Sequence, residues 1–256
     1  MRDRRQIVLV RHGEREDNIN PAWRATATRW DDPHLSPRGR KQADDVGRAL
    51  AGFPFEAIYA SPFSRTLQTM AAIVPYLGKH KVRVEPGLGE SLNACNYPPG
   101  NPGREEQKIH CPYIDGDYEP VYASLGPDAD GHTQKVGDAG CFHRIAKTID
   151  EIVKSTRGNI LIVSHGSPIA AAHLHLLHEW LYVGQCTISR VVLGATGWER
   201  AEIGSKTHFA VKDRFDLHES QSKVGETARS KDFQRRIRTE RGLPNIEDKI
   251  TDENGN

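Results

Sequence analysis

Long apolar runs are missing from this chain. The first apolar stretch, Ile7 to Val10, is four residues long and follows a basic start, Met1-Arg-Asp-Arg-Arg-Gln6. A secretory signal needs an apolar run of about 7–15 residues and a spanning helix about 20, and the sequence contains neither. A cytosolic, cytoplasmic protein without membrane attachment is therefore expected. Excess charge is missing too: 35 Lys+Arg against 34 Asp+Glu leaves +1. Nucleic-acid and membrane-surface partners select for a basic excess, so neither is expected. Cysteine is scarce. Cys95, Cys111, Cys141 and Cys186 are too far apart for a CxxC redox or zinc motif and too few for a disulfide scaffold at this length, so they read as free thiols.

What is present is the composition of a globular domain. Hydrophobic residues make up 37% of 256, and 23 glycines come on top of that. Ile7-Val-Leu-Val10, Ala57-Ile-Tyr-Ala60 and Asn159-Ile-Leu-Ile-Val163 are short apolar runs of the kind buried on both faces of a parallel sheet, and Lys81-Val-Arg-Val84 is a weaker one. Helix signals fall between them. Ser36-Pro37 predicts an N-cap followed by Pro at the first helical position, with Ala43, Val46 and Leu50 on one face. Ser61-Pro62 repeats that signal ahead of Leu67, Met70, Val74 and Leu77. A third helix is expected from about Asp138 to Thr156, closed by Gly158, and a fourth near Ser167-Pro168. Thr187–Leu193 and Trp198–Ile203 read as a hairpin. Strands alternating with helices predict an α/β fold: a three-layer α/β/α sandwich with a mostly parallel sheet.

Two segments interrupt this pattern. Residues 89–137 are rich in Gly, Pro, Asn and Asp and are expected to form an irregular cap inserted into a domain spanning 1–212. Residues 213–256 read as a charged, partly disordered C-terminal extension with one surface helix near Thr227–Arg241, whose Arg235, Arg236, Arg238 and Arg241 form a solvated face.

The chemistry is concentrated where strands end. Arg11-His12-Gly13-Glu14 follows the first strand, and Ser164-His165-Gly166 follows another just before a helix N-terminus able to hold an anion. Arg65 falls in the first turn after a third strand. Two histidines and two arginines thus converge. Arginine binds phosphate by bidentate hydrogen bonding, and a neutral imidazole is a competent nucleophile toward phosphorus. Phosphoryl transfer also needs a proton for the leaving group. Glu90, after the Val82–Val84 strand, is the candidate donor, with Glu14 and Glu85 as rivals. Arg15 reads either as pocket-lining or as a surface charge. Trp23 and Trp30 read as packing aromatics, an apolar wall over the site being their alternative use. Of His173, His175 and His178, only the last two could share a helix face, with no carboxylate in evidence, so no metal site is expected.

These segments resemble the histidine phosphatase superfamily, also called phosphoglycerate mutase-like. The resemblance rests on Leu9-Val-Arg-His-Gly-Glu14 with Asn18, Leu35-Ser-Pro-Arg-Gly-Arg-Lys-Gln-Ala43, Ala60-Ser-Pro-Phe-Ser-Arg-Thr-Leu-Gln-Thr69, Glu90 and Val163-Ser-His-Gly166, in the family's order. Arg-His-Gly-Glu-Arg-x-Asp at 11–17 is most similar to the branch of ubiquitin-associated, SH3-containing phosphatases and ecdysteroid-phosphate phosphatases. The resemblance implies a nucleophilic His12, a phosphoryl clamp of Arg11, Arg65 and His165, and Glu90 as general acid. Arg15, Asn18 and Gly166 would add substrate contacts. It implies no metal or organic cofactor, a phosphomonoester substrate that is either a phosphoprotein or a small molecule, and room for a homodimer. The mutases of the family carry Glu-Arg-x-Tyr-Gly after the acid. Here Glu90 is followed by Ser-Leu-Asn-Ala, which favours a phosphatase over a mutase, while the intact residue set argues against a non-catalytic phospho-ligand scaffold.

Overall fold

The computed structural model describes residues 4–92, 95, 104–125, 137–209 and 235–243. Its centre is a six-stranded sheet built from β1 (Gln6–Arg11), β2 (Phe55–Ala60), β3 (Val82–Val84), β4 (Asn159–Ser164), β5 (Ile188–Leu193) and β6 (Trp198–Ser205). The strand order is β3-β2-β4-β1-β5-β6. The first four strands of that order are parallel, whereas β5 runs antiparallel to β1 and β6 antiparallel to β5.

Because successive side chains of a strand face opposite ways, the apolar runs feed two cores. Ile7, Leu9, Tyr59, Ile160 and Ile162 pack against Phe142, Ile145, Ile149 and Ile152 of α5 (Phe142–Ser155) and Ile169 and Leu176 of α6 (Gly166–Leu177). Val8, Val10, Ile58, Leu161 and Val163 pack against Ala43, Val46 and Leu50 of α2 (Pro37–Ala49) and Leu67, Met70 and Ile73 of α3 (Ser64–Ile73). This is the expected three-layer sandwich. Helix α1 is a single turn, Trp23–Thr26, and α4 is Arg104–His110.

Helix α2 starts as its sequence predicts, with Ser36 Oγ accepting from Gly39 N at 3.0 Å. Helix α3 does not. It begins at Ser64 rather than at Ser61-Pro62, because the Ser61 hydroxyl is engaged by His165 and the cap comes from elsewhere in the chain. Asp32 supplies it, accepting from Ser64 N at 3.0 Å and from Ser64 Oγ at 2.8 Å. Nor does α5 end on a left-handed glycine. Its cap residue, Thr156, is extended, and Arg5 donates to the carbonyls of Val153, Thr156 and Gly158.

Within the stretch expected to be an irregular cap, the described part contains α4. That helix is only seven residues long, and its one large aliphatic residue, Ile109, is 78% exposed, so it has little sequence periodicity. Residues 113–115 then run along the outer edge of β3, with Val82 N donating to Tyr113 O and Asp115 N to Val82 O, both at 2.8 Å. Most of the expected C-terminal extension lies outside the described residues. Residues 235–240 are helical, but not as a wholly solvated face. Ile237 and Arg238 are buried, and Arg238 donates to the carbonyl of His178, the C-cap of α6. All four cysteines are free and buried. Among the described residues no helix is long and apolar enough to cross a membrane.

Candidate active site

The parallel register brings the candidate residues to one edge of the sheet. Arg11 is level with Ser164 and Ala60 with Val163, so the chain leaves β1, β4 and β2 side by side. The exits are tied together, with His12 N donating to Ser164 O at 3.0 Å and Ser61 N to Val163 O at 3.1 Å. Gly13 then crosses against α2, where a Cβ would lie 2.6 Å from the carbonyl oxygen of Gly39, so only glycine fits this approach.

His12 is fully buried. Its Nδ1 lies 2.8 Å from the carbonyl oxygen of Gly13, which can only accept, so the ring proton sits on Nδ1 and the Nε2 lone pair is free. Nε2 is buried with no hydrogen-bond partner. Burial, then the charges of Arg65, Arg11 and Arg15, push the His12 pKa well below the usual imidazole value of 6.5, and the Gly13 bond opposes them only in part. The ring is neutral at physiological pH.

His165 meets His12 edge to face, with ring centroids 5.3 Å apart. Its Nε2 is 2.8 Å from Ser61 Oγ, and its Nδ1 is 3.5 Å from Glu90 Oε2. It is likewise fully buried and held well below 6.5, by desolvation first and then by Arg65, with the neighbouring His12, Arg11 and Arg144 adding to the shift.

Arg65 is 1% exposed, yet its guanidinium is loosely held. Its contacts to Asp31 O, Asp32 Oδ1 and Glu90 Oε2 are 3.3–3.4 Å long, and Nε has no partner. Guanidinium–oxyanion bonds normally close to about 2.7–2.9 Å, so this fork has unspent capacity for an anion. Arg11 donates to Val183 O at 2.8 Å and lies over the ring of Tyr182, while its buried Nε is also unpartnered.

Of the three candidate carboxylates, Glu90 alone faces these groups. Glu14 is buried against Ser36 and Arg38. Glu85 accepts from Gly87 N, Tyr118 Oη, Val121 N and Tyr122 N and pins the chain at 118–122. The Oδ1 of Asn18 accepts from Arg15 N and from Gln185 Nε2. Gly166, the first residue of α6, is covered by Tyr182.

A cleft of about 220 Å³ opens from Arg65 and Glu90 and is lined by Arg15, Trp23, Arg24 and Trp30 among others. Both tryptophans therefore wall the cleft rather than serve as packing aromatics alone. They do not share a helix: Trp30 follows α1 in a turn, and Trp23 Nε1 donates to its carbonyl at 3.2 Å. Sequence reasoning missed three residues here, namely Ser61, Asp32 and the buried Arg144. A charge on the apolar side of α5 was the available signal for the last.

Nitrogens of His12 and His165 and a Glu90 oxygen lie within 4.8 Å of one another, a spacing that a metal ion could bridge. The guanidinium of Arg65, 3.4 Å from that carboxylate, makes the potential there suit an anion instead. The distal histidines are separately engaged, His173 with Leu181 O and His175 with Asp150, a carboxylate not apparent from the sequence.

The profile of the histidine phosphatase superfamily (branch 1) matches residues 7–108. Residues 7–108, which include His12, Arg65 and Glu90, are thus similar to that superfamily. It is 26% identical over 206 residues to the 2,3-bisphosphoglycerate-dependent phosphoglycerate mutase of Treponema pallidum, covering 67% of this chain and 78% of that one. It is 30% identical over 210 residues to human ubiquitin-associated and SH3 domain-containing protein A, covering 68% of this chain but 31% of the human protein. Among solved structures, the ecdysone phosphate phosphatase of Bombyx mori shares the fold, with a TM-score of 0.61 at 20% identity over 83% of this chain and 98% of that one. Relatives that include both phosphatases and mutases agree with the phosphoryl chemistry read from the strand ends.

Proposed function

We propose that the protein is a metal-independent phosphomonoester hydrolase working through a phosphohistidine on His12. The observation that carries this reading is the bare Nε2 of a neutral, buried His12 beside an arginine fork with unfilled hydrogen-bonding capacity. Arg65, Arg11 and the Nδ1–H of His165 bind the phosphoryl oxygens. Nε2 attacks phosphorus in line, the bond to the leaving oxygen breaks, and Glu90 delivers its proton to that oxygen. Glu90, now ionised, takes a proton from water, whose oxygen attacks phosphorus. The P–N bond breaks, releasing phosphate and neutral His12.

The tryptophan-walled cleft beside Glu90 would take the leaving group, which supports esters with a flat apolar body. Phosphotyrosine proteins and steroid or other small-molecule phosphates are the substrate classes to screen. The mutase relatives support a second reading, primer-dependent isomerisation of a phosphoglycerate.

Release of phosphate from para-nitrophenyl phosphate with EDTA present tests the first reading. Activity in the wild type that His12→Ala abolishes is expected. Equal rates in both proteins would sink the proposal, and bisphosphoglycerate-primed isomerisation with little phosphate release would replace it with the mutase.

A further inference from the structure

Glu90 stands on a segment, 86–90, in which Gly89 N donates to the carbonyl of Pro86 at 2.8 Å and, among the described residues, no backbone N–H serves the carbonyls that follow. Side chains from two other elements take four successive carbonyls instead. Arg144, in the first turn of α5, donates through Nη1 to Gly87 O at 2.8 Å and Gly89 O at 2.9 Å, and through Nη2 to Glu90 O at 3.0 Å. Ser164 Oγ, at the end of β4, donates to Leu88 O at 2.7 Å. Gly87 packs so closely on Thr148, one turn further along α5, that it has no room for a Cβ.

Arg144 is 2% exposed, and a buried guanidinium is an expensive way to hold a loop unless its charge or its geometry is needed. Here both serve the site. The fork spans carbonyls on both sides of Leu88 and includes that of Glu90 itself, which fixes the root of the carboxylate side chain. Its charge also helps to keep His165 neutral. No single ammonium or amide could reach three carbonyls in this planar arrangement.

We propose that Arg144 is a positioning residue for proton delivery, holding Glu90 at the leaving-group side of His12. This rests on the phosphatase reading above. Loss of Arg144 then weakens the protonation of the leaving oxygen but leaves the nucleophile and the arginine clamp in place. The defect must consequently scale with how badly the leaving group needs a proton. A nitrophenolate leaves nearly unaided, whereas an alkoxide does not.

The test is kcat/KM for para-nitrophenyl phosphate and for benzyl phosphate in wild type, Arg144→Lys, Arg144→Met and Glu90→Gln. General acid catalysis is worth about 10²–10⁴-fold. We expect Arg144→Met to lose about 100-fold or more on benzyl phosphate and only a few-fold on the nitrophenyl ester. Glu90→Gln should show the same selectivity, and Arg144→Lys a smaller version of it. An equal loss on both esters, or no loss on either, overturns the proposal. If Arg144→Met does not fold, the lysine variant decides by the same criterion, since a structural defect would not discriminate between leaving groups. The phosphatase reading fails separately, by absence of hydrolysis of either ester in the wild type or by its survival in His12→Ala.

Discussion

Ser61 Oγ stands 2.8 Å from Nε2 of His165, joining the exit of β2 to the exit of β4 beneath the candidate active site. With the hydroxyl donating to Nε2, the imidazole proton is left on Nδ1, the nitrogen that faces Glu90 and the space beside His12. In that arrangement, which the Glu90 carboxylate 3.5 Å from Nδ1 favours, His165 offers an N–H to an incoming anion. Ser61→Ala should lower kcat/KM for para-nitrophenyl phosphate about tenfold while costing only about 1 kcal/mol of stability, the worth of one neutral hydrogen bond. Steady-state kinetics beside a thermal melt checks this. An unchanged kcat/KM would remove Ser61 from the site's machinery.

His12 presents the same tautomer, with its proton on Nδ1 and a lone pair on Nε2. Burial and the charges of Arg65, Arg11 and Arg15 hold it neutral to well below pH 6.5. Long-range ¹H–¹⁵N imidazole spectra should therefore show His12 still unprotonated at pH 6, with the hydrogen on Nδ1. Arg15→Ala removes one of the cations and should move the titration upward, toward the ordinary value. A midpoint at or above 6.5 in the wild type would contradict the electrostatics described here.

The three candidate carboxylates should separate cleanly. Glu90→Gln strikes the chemistry and hardly touches the fold, because its carboxylate has only long contacts of 3.4 Å and 3.5 Å and a bond from Ser91 N. Glu85→Gln strikes the fold, because a buried carboxylate accepting four hydrogen bonds becomes an amide able to accept through only one oxygen. A loss of roughly 2–4 kcal/mol is expected in urea titration, from bonds to a charged group of about 1.5–3 kcal/mol each. Residual kcat per folded molecule should stay close to wild type. The reverse pattern would make Glu85 the acid.

What could be read from the sequence was what is encoded locally. β1, β2 and β4 are continuous apolar runs because both faces of the sheet are covered, and Ser36-Pro37 contains its own cap. His12 and His165 could be located because each directly follows a strand, and Arg65 because it falls in the first turn of the helix after another. The rest depends on contacts between distant segments. Asp32 caps α3 from 32 residues away, which shifts its start past the Ser61-Pro62 signal. Arg144 reaches Glu90 across 54 residues, so no local pattern could reveal its role. Trp23 and Trp30 wall the cleft through a turn, which a helical spacing argument misplaces. Arg238 is buried because α6 ends on an open carbonyl, again a tertiary fact.

His173 sits far from this chemistry and sets a different pH response. It is buried, with Nδ1 2.7 Å from the carbonyl oxygen of Leu181, and burial lowers its pKa to about 4. In the unfolded chain it titrates near its usual 6.5, so between these values the unfolded state binds the extra proton. Stability from keeping His173 neutral is therefore intact above pH 6.5 and is lost progressively as the pH falls toward 4, by about 3 kcal/mol in all. His12 and His165 act with the same sign. Urea titrations at pH 7 and pH 5 should show the wild type losing stability on acidification. His173→Gln should start less stable at pH 7 yet lose about 2 kcal/mol less between the two pH values, since 1.5 pH units below 6.5 at 1.36 kcal/mol each is the share that His173 contributes. A variant that loses as much as the wild type would show that His173 is not held neutral by the fold.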